Sequence, residues 1–415
     1  MVKTRNIYLL VGIVIYKVLC DYAYDNIISR LFDYQRFEND ATFKSMCVSW
    51  FMLLLLSPLI VKTNFEQKLS SGIMKVLILI SLIPTCTMIG FHSSYETEYI
   101  VLIFLYWLLF LIANLYMPKI VINNPGFGAS LKLDKIFIVF LCLAIIFISW
   151  RYTGFRFQYD IYNVYDVRVE ARGYEIGTLL GYLLTFADNI LPIALVYSLY
   201  KKKKFTALFI SLIIFLNFGI SASKQVMFLL FLSLLGYYFI KDLKYTNRFV
   251  WVFVGLLSFG ILEFTFLNTF VISLFSTYRV FFIPAKLHYS YYEFFSQNEL
   301  DYFRQSFFKL FLESPYKDNI GFIIGHEDSG EWGGRANNGL FSDAYYNFGI
   351  VGVITFPVLV VILMKLLDGS VKGLNERFLF IIVISVSFIL NNLPFSTALF
   401  SAGLGALIVY LNLLK

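Results

Sequence analysis

The sequence predicts an all-α polytopic membrane protein, a single integral membrane domain over residues 1–415 with about twelve transmembrane helices and two enlarged loops on one face. Three observations predict this. Apolar residues make up 59% of the chain and charged residues only 15%, with 46 Phe and 29 Tyr, whereas a soluble domain is about a quarter charged. Apolar runs near the length that spans a bilayer recur along the whole chain. The connections alternate between short basic ones and longer aromatic or acidic ones, the asymmetry that orients membrane helices.

In order, the runs fall at 7–24, 46–61, 73–91, 99–117, 136–150, 176–200, 205–219, 226–240, 249–271, 346–367, 378–390 and 398–414. All are expected to be helical, because lipid offers the backbone no hydrogen-bond partner. The first run follows MVKTR. It contains Lys17 and Asp21 and lacks a small-residue cleavage pattern, so it reads as an uncleaved helix in which those two residues satisfy each other.

Placing the N-terminus inside puts Lys62, Lys68, Lys119, Lys132, Lys135, the lysines at 201–204, Lys241, Lys244, Arg248, Lys372 and Arg377 on the cytoplasmic side. Both termini are then cytoplasmic and the chain is an inner-membrane protein. The net charge of +7 lies at the inner membrane surface. It marks membrane lipids as partners and is no evidence for nucleic acid. Cys20, Cys47, Cys86 and Cys142 sit within apolar runs and form neither a disulfide framework nor a metal-binding pair.

No cytoplasmic connection holds a phosphate-binding glycine loop. The mass outside the spans lies on the other face, at 25–42, 151–175 and 272–345, and loops that long tend to be functional. The largest has three parts. An aromatic stretch covers 276–295. Next, Leu300, Phe303, Phe307, Leu310 and Phe311 recur at helical spacing, which predicts an interfacial helix. The glycine-rich GFIIGHEDSGEWGGRANNG should be irregular.

Several residues are candidates for chemistry. In YNVYDVRVEARGYE, a helix would put Asp166 and Glu170 on one face and Arg168 and Arg172 on another, with Glu175 near the arginines. Either this is an ion-paired helix start or the arginines grip a pyrophosphate, for which guanidinium is shaped. Arg279 is isolated among aromatic residues and either snorkels to lipid phosphates or binds a ligand. Lys224, in a short turn, is a cavity-lining cation or a helix-end anchor. Asp188 and Glu263 lie inside spans, where an ionised group costs about 2.5–3.5 kcal/mol and so needs a partner. Tyr289, Tyr291 and Tyr292 either stack on sugar rings or belong to the interfacial aromatic belt. His92, His288 and His326 show no metal-ligand spacing, so no metal and no cofactor are expected.

Several segments together resemble the O-antigen polymerase (Wzy) family. They are RANNGLFSDAYYNFGIVGVITFP, YDVRVEAR before a middle span and STYRVFFIPA opening the largest loop. The resemblance covers the whole topology and implies a GT-C-like, Wzy-ligase-type architecture. It also implies a metal-independent glycosyltransferase on the periplasmic face of a bacterial plasma membrane. Such an enzyme passes a growing polysaccharide from undecaprenyl pyrophosphate to a new lipid-linked repeat unit, and a chain-length regulator is an implied partner. Positive charge beside the leaving pyrophosphate would come from Arg168, Arg172 and Arg279, with Lys224 and Arg335 as further candidates. Asp166, Glu170 and Glu175 are the candidate bases. An O-antigen ligase and a lipid-linked oligosaccharide flippase share the topology. No internal repeat of the kind a transporter shows is visible.

Overall fold

A helix that is apolar or small on nearly every side must be surrounded, and Leu69–Phe91, with Lys75 as its one charged residue, is such a helix. Serines, threonines and glycines interrupt its aliphatic side chains and let neighbours approach closely. In the computed structural model it is buried along its whole length. The structure describes residues 2–63, 68–122, 132–156, 170, 173–221, 223–240, 248–309, 311–330 and 334–414, with backbone alone for 2–6, Lys224 and Ser329.

In chain order the main helices are α1 (Ile7–Leu31), α2 (Phe43–Thr63), α3 (Leu69–Phe91), α4 (Thr97–Tyr116), α5 (Leu133–Thr153), α6 (Thr178–Tyr200) and α7 (Lys204–Ser221). They continue as α8 (Lys224–Phe239), α9 (Phe249–Leu267), α10 (residues 271–295), α11 (Ile320–Ser329), α12 (Phe341–Ser370), α13 (Leu379–Asn392) and α14 (Phe395–Leu413). All but α8, α10, α11 and α13 are long and apolar enough to cross a membrane. The chain is therefore a multi-pass membrane protein, and no strand occurs among the described residues. The twelve expected runs give ten full-length spans. Helix α8 has 16 residues and α13 has 14, about 24 and 21 Å of helix against a hydrocarbon core of about 30 Å.

Two compact units share the chain. The first comprises Met1–Pro118, Thr246–Met364 and Ser387–Phe395; the second comprises Lys119–Tyr245, Lys365–Val386 and Ser396–Lys415. In the first, α1 turns Ile7, Val11, Val14, Val18 and Tyr22 outward and buries Ile13, Tyr16 and Cys20, the two faces of a lipid-exposed span. Lys17 pairs with Asp21 inside it, as the sequence predicts, and Thr87 also bonds Asp21 at 2.8 Å. In the second unit, α6 packs against α5, α7 and α8. Asp188 finds its partner there in the Asn217 amide at 2.5 Å.

Helix α12 is broken at Gly349, whose φ of 53° is open to glycine and strained for other residues. The break frees carbonyls that an unbroken helix would use. The Tyr346 and Asn347 carbonyls accept instead from the N–H groups of Asp301 (2.9 Å) and Tyr302 (3.2 Å), and the Asn347 side chain accepts from Phe303 N–H (2.8 Å). This corrects the expected helix over 300–311. Its first N–H donors are spent on α12, Tyr302 and Phe303 take positive φ, and the segment runs in consecutive turns, with Leu310 outside the described residues. Of the apolar stripe, Phe303 packs, stacked on Phe356 at 5.7 Å, while Phe307 and Phe311 are exposed.

A second correction concerns the glycine-rich piece, part of which is the helix α11. Asn319 caps it by accepting from Gly321 N–H at 3.0 Å, the Gln305 side chain accepts from Ile320 N–H at 3.0 Å, and Gly330 ends it at φ 71°.

Candidate functional site

The first unit gathers its polar groups at one end, where residues 32–42, 92–98 and 270–348 meet. The chain is turned there by Glu263. Its carboxylate accepts from the N–H groups of Val271 (2.8 Å) and Ile272 (2.7 Å) and from Thr269 Oγ1 (3.1 Å). These are the otherwise unpaired donors at the start of α10. The acid inside a span thus has its partner, and its role is to fix the corner between α9 and α10.

Helix α10 widens to i→i+5 hydrogen bonding over Ser273–Phe282 and returns to α-helix over Ile283–Phe295. One face is buried. Phe281 packs edge-on against Tyr16, Phe282 against Tyr24, and His288 lies between Ser81 (3.3 Å) and Ser342 (3.0 Å). Burial holds the His288 imidazole down to about 3, so it is neutral at ordinary pH. Lys286, also buried, donates to the Gln35 carbonyl at 2.7 Å and to Asp328 at 2.5 Å, and Ser290 donates to the other Asp328 oxygen at 3.1 Å. Burial pulls the Lys286 ammonium below its ordinary value, against the opposing pull of Asp328. This pair ties α11 to α10.

The segment 334–348 holds the end together. Gly321 and Gly325 stand four apart on α11, and Cβ atoms there would press on Asn337 and the Gly334 carbonyl, so the segment lies directly on the helix. A side chain at Gly339 would collide with the carbonyls of Leu390 and Leu393. Asn338 donates to the Pro284 carbonyl (2.9 Å) and Ser342 Oγ (2.9 Å), and Asp343 accepts from Phe395 N–H (2.5 Å) and Asn347 (2.9 Å). Most polar groups of the segment thus have interior partners.

The expected site residues fall into three groups. Arg279 is exposed; its guanidinium lies 5.5 Å over the Tyr278 ring, and no acid pairs with it among the described residues. Arg335 instead lies over Phe322 at 4.6 Å. Of the three tyrosines only Tyr289 is partly open, stacked at 4.0 Å on Tyr95. Tyr291 and Tyr292 are buried, their hydroxyls donating to the Ala336 carbonyl (2.9 Å) and to Glu96 (2.8 Å). Of the two readings of these tyrosines, sugar stacking is left to Tyr289, because the buried rings of Tyr291 and Tyr292 have no open face.

In the second unit, Glu170 accepts from Arg156 at 2.7 Å and from the Tyr174 hydroxyl at 2.6 Å. Those bonds, the tyrosine's first, hold its carboxyl below the ordinary value. Glu175 is exposed, with no ion pair among the described residues. Asp166, Arg168 and Arg172 lie outside the described residues, as does the Lys224 side chain.

Lys286, Asp328 and Arg156 were missed as partners. Lys286 carries the signal that singled out Arg279, a lone cation in an aromatic run. Asp328 lies in the glycine-rich stretch whose composition suggests irregular chain. Among the described residues no group of three or more His, Cys, Asp or Glu is placed to hold a metal ion. No family model, no curated protein and no solved structure matches the chain.

Proposed function

We propose that the chain is an O-antigen-type polysaccharide polymerase. It moves a growing glycan from undecaprenyl pyrophosphate to a new lipid-linked repeat unit at the periplasmic face of a bacterial inner membrane, both termini being cytoplasmic. The observation that carries this reading is Arg279, an exposed guanidinium on α10 with no acid paired to it among the described residues. The sequence resemblance supplies the substrate class.

On this reading the acceptor hydroxyl attacks the anomeric carbon of the donor glycan, and the bond from that carbon to the pyrophosphate oxygen breaks. The lipid pyrophosphate leaves with the bonding electrons, and the hydroxyl proton passes to a carboxylate. Arg279 stabilises the charge that grows on the leaving phosphate. Glu175 is the freest of the described candidate bases, since Glu170 is committed to Arg156 and Tyr174.

The test is to incubate purified protein with a synthetic undecaprenyl pyrophosphate repeat unit and separate the products by size. A lengthening ladder is expected. Transfer to lipid A core instead would mark a ligase, and movement across the bilayer without new bonds would mark a flippase. Arg279→Lys should lose about 30- to 1000-fold in rate, equivalent to about 2–4 kcal/mol, because an ammonium cannot reproduce a two-pronged phosphate grip. A lysine variant as active as the parent would show that Arg279 only anchors to lipid headgroups.

A further inference from the structure

An exposed arginine side chain samples many rotamers, so a guanidinium that must meet a developing charge at a fixed place has to be held there. At Arg279 the holder is its neighbour. The guanidinium carbon lies 5.5 Å from the centroid of the Tyr278 ring, inside the reach of a cation–π contact. That ring is itself fixed. It is 3% exposed, Phe32 is stacked on it at 3.9 Å and 14°, and Phe37 lies against it at 5.6 Å. Its hydroxyl donates to the side-chain carbonyl of Gln35.

Phe32, Gln35 and Phe37 belong to one short segment of the loop at 25–42, for which composition and spacing offer no role. The turn Asp33–Gln35 closes on Arg36, which takes φ 60° and donates its N–H to the Asp33 carbonyl at 2.9 Å. Gln35 is thereby used twice. Its side chain accepts from Tyr278, and its main-chain carbonyl accepts from the buried Lys286 ammonium at 2.7 Å. The Phe37 ring lies 4.9 Å from the same ammonium, and farther along α10 Arg36 pairs with Glu293 at 3.3 Å. The segment therefore follows α10 from Tyr278 to Glu293 and is anchored on the buried Lys286 and Asp328 pair.

We infer that residues 32–37 are a strap that holds Tyr278 as the platform for Arg279, which makes Tyr278, Phe32 and Gln35 positioning residues. The inference takes from the polymerase reading only what Arg279 does to its substrate. An acid would hold the guanidinium as firmly, but it would neutralise the charge that a phosphate has to meet. An aromatic ring orients the cation and leaves its charge free.

Two measurements on the full chain in detergent test this, one without substrate and one with it. Phenylglyoxal, an arginine-specific dicarbonyl, is timed against Arg279 by mass spectrometry of the modified peptide. Tyr278→Leu removes the ring and should raise the rate at Arg279 about fivefold, the worth of one exposed cation–π contact. Tyr278→Phe keeps the ring and its stack on Phe32 and should stay within about twofold of the parent, with Phe32→Leu between the two. Gly339→Ala strains the same unit at a different contact and should leave Arg279 reacting at the parent rate. With the synthetic repeat unit, Tyr278→Leu should lower kcat for ladder growth about fivefold at nearly constant KM, because the contact serves charge that develops only as the leaving group departs. In an Arg279→Lys background the same change should cost less than about twofold, since a freely turning ammonium gains little from a flat platform. A parent-like phenylglyoxal rate in Tyr278→Leu would overturn the strap. Equal losses of ladder growth in the parent and Arg279→Lys backgrounds would overturn it as well, as would faster modification of Arg279 in Gly339→Ala, because the effect would then be general loosening. Faster modification in Tyr278→Leu from a protein that builds no ladder would keep the strap and remove the polymerase reading; ladders with a parent-like modification rate would do the reverse.

Discussion

Two ion pairs, one in each unit, have nearly the same geometry and opposite surroundings. Lys286 and Asp328 meet at 2.5 Å with side chains 4% and 13% exposed, while Arg156 and Glu170 meet at 2.7 Å with side chains 30% and 50% exposed. Distance therefore says little about what each pair does. In the first, both ions have left water, and breaking one half strands a charge in a low-dielectric interior. In the second, water already solvates each partner, so the pair holds little stability and either member can exchange its partner for water. The first is a tie between helices. The second remains a candidate for chemistry.

The largest expected effect comes from breaking the tie. Lys286→Met leaves Asp328 with Ser290 as its one donor among the described residues and should cost about 3–5 kcal/mol, read as a fall in thermal stability in detergent. Adding Asp328→Leu should restore most of that loss, because replacing a buried pair by apolar side chains is often neutral. A single variant as stable as the parent would erase the contrast between the two units.

A smaller effect tests the packing that surrounds the tie. Gly339→Ala drives a methyl group against the backbone carbonyls of Leu390 and Leu393, and main-chain atoms cannot swing aside as a flexible side chain can. The expected cost is about 1–3 kcal/mol, seen as reduced thermal stability with the ligand-free Arg279 region unaltered. A stable Gly339→Ala protein would show that the segment 334–348 lies more loosely than its contacts indicate.

The sequence made the spans legible because lipid leaves the backbone few options, and runs such as 73–91 carry that constraint in their composition. It misled over 300–311. The apolar spacing there is truly helical, but the N–H groups of residues 301–303 go to carbonyls and an amide on α12, a condition set by Gly349, far downstream in the chain. The glycines of 320–334 misled in the other direction. Two of them give α11 a smooth face for the segment 334–337 rather than breaking the helix. Of the site, Arg279 was legible as a cation isolated in an aromatic run. The Lys286 and Asp328 pairing was not, because it joins residues 42 apart across two helices and no local pattern encodes it. Tyr291 and Tyr292 share the sequence context of Tyr289, and only packing tells which ring stays open.

The smallest expected effect on stability belongs to Glu170, and for that reason it separates structure from chemistry most cleanly. The Tyr174 hydroxyl and Arg156 hold its carboxyl below the ordinary value of 4.5. A carboxylate with a depressed folded-state pKa contributes stability above its unfolded pKa and loses it as pH falls through the folded value. Any contribution is thus fully present at neutral pH and fades only below about 4.5, and an exposed pair of this kind is worth about 0.2–1 kcal/mol. Glu170→Gln at pH 7 should therefore leave thermal stability nearly unchanged. If Glu170 takes the proton from the acceptor hydroxyl, the same variant should cut the rate of ladder growth by about 100- to 10,000-fold. Binding of a lipid pyrophosphate analogue should be unchanged. Parent-like ladders from Glu170→Gln would remove it from the list of bases and leave Glu175, with its carboxylate unpaired among the described residues, as the next group to change.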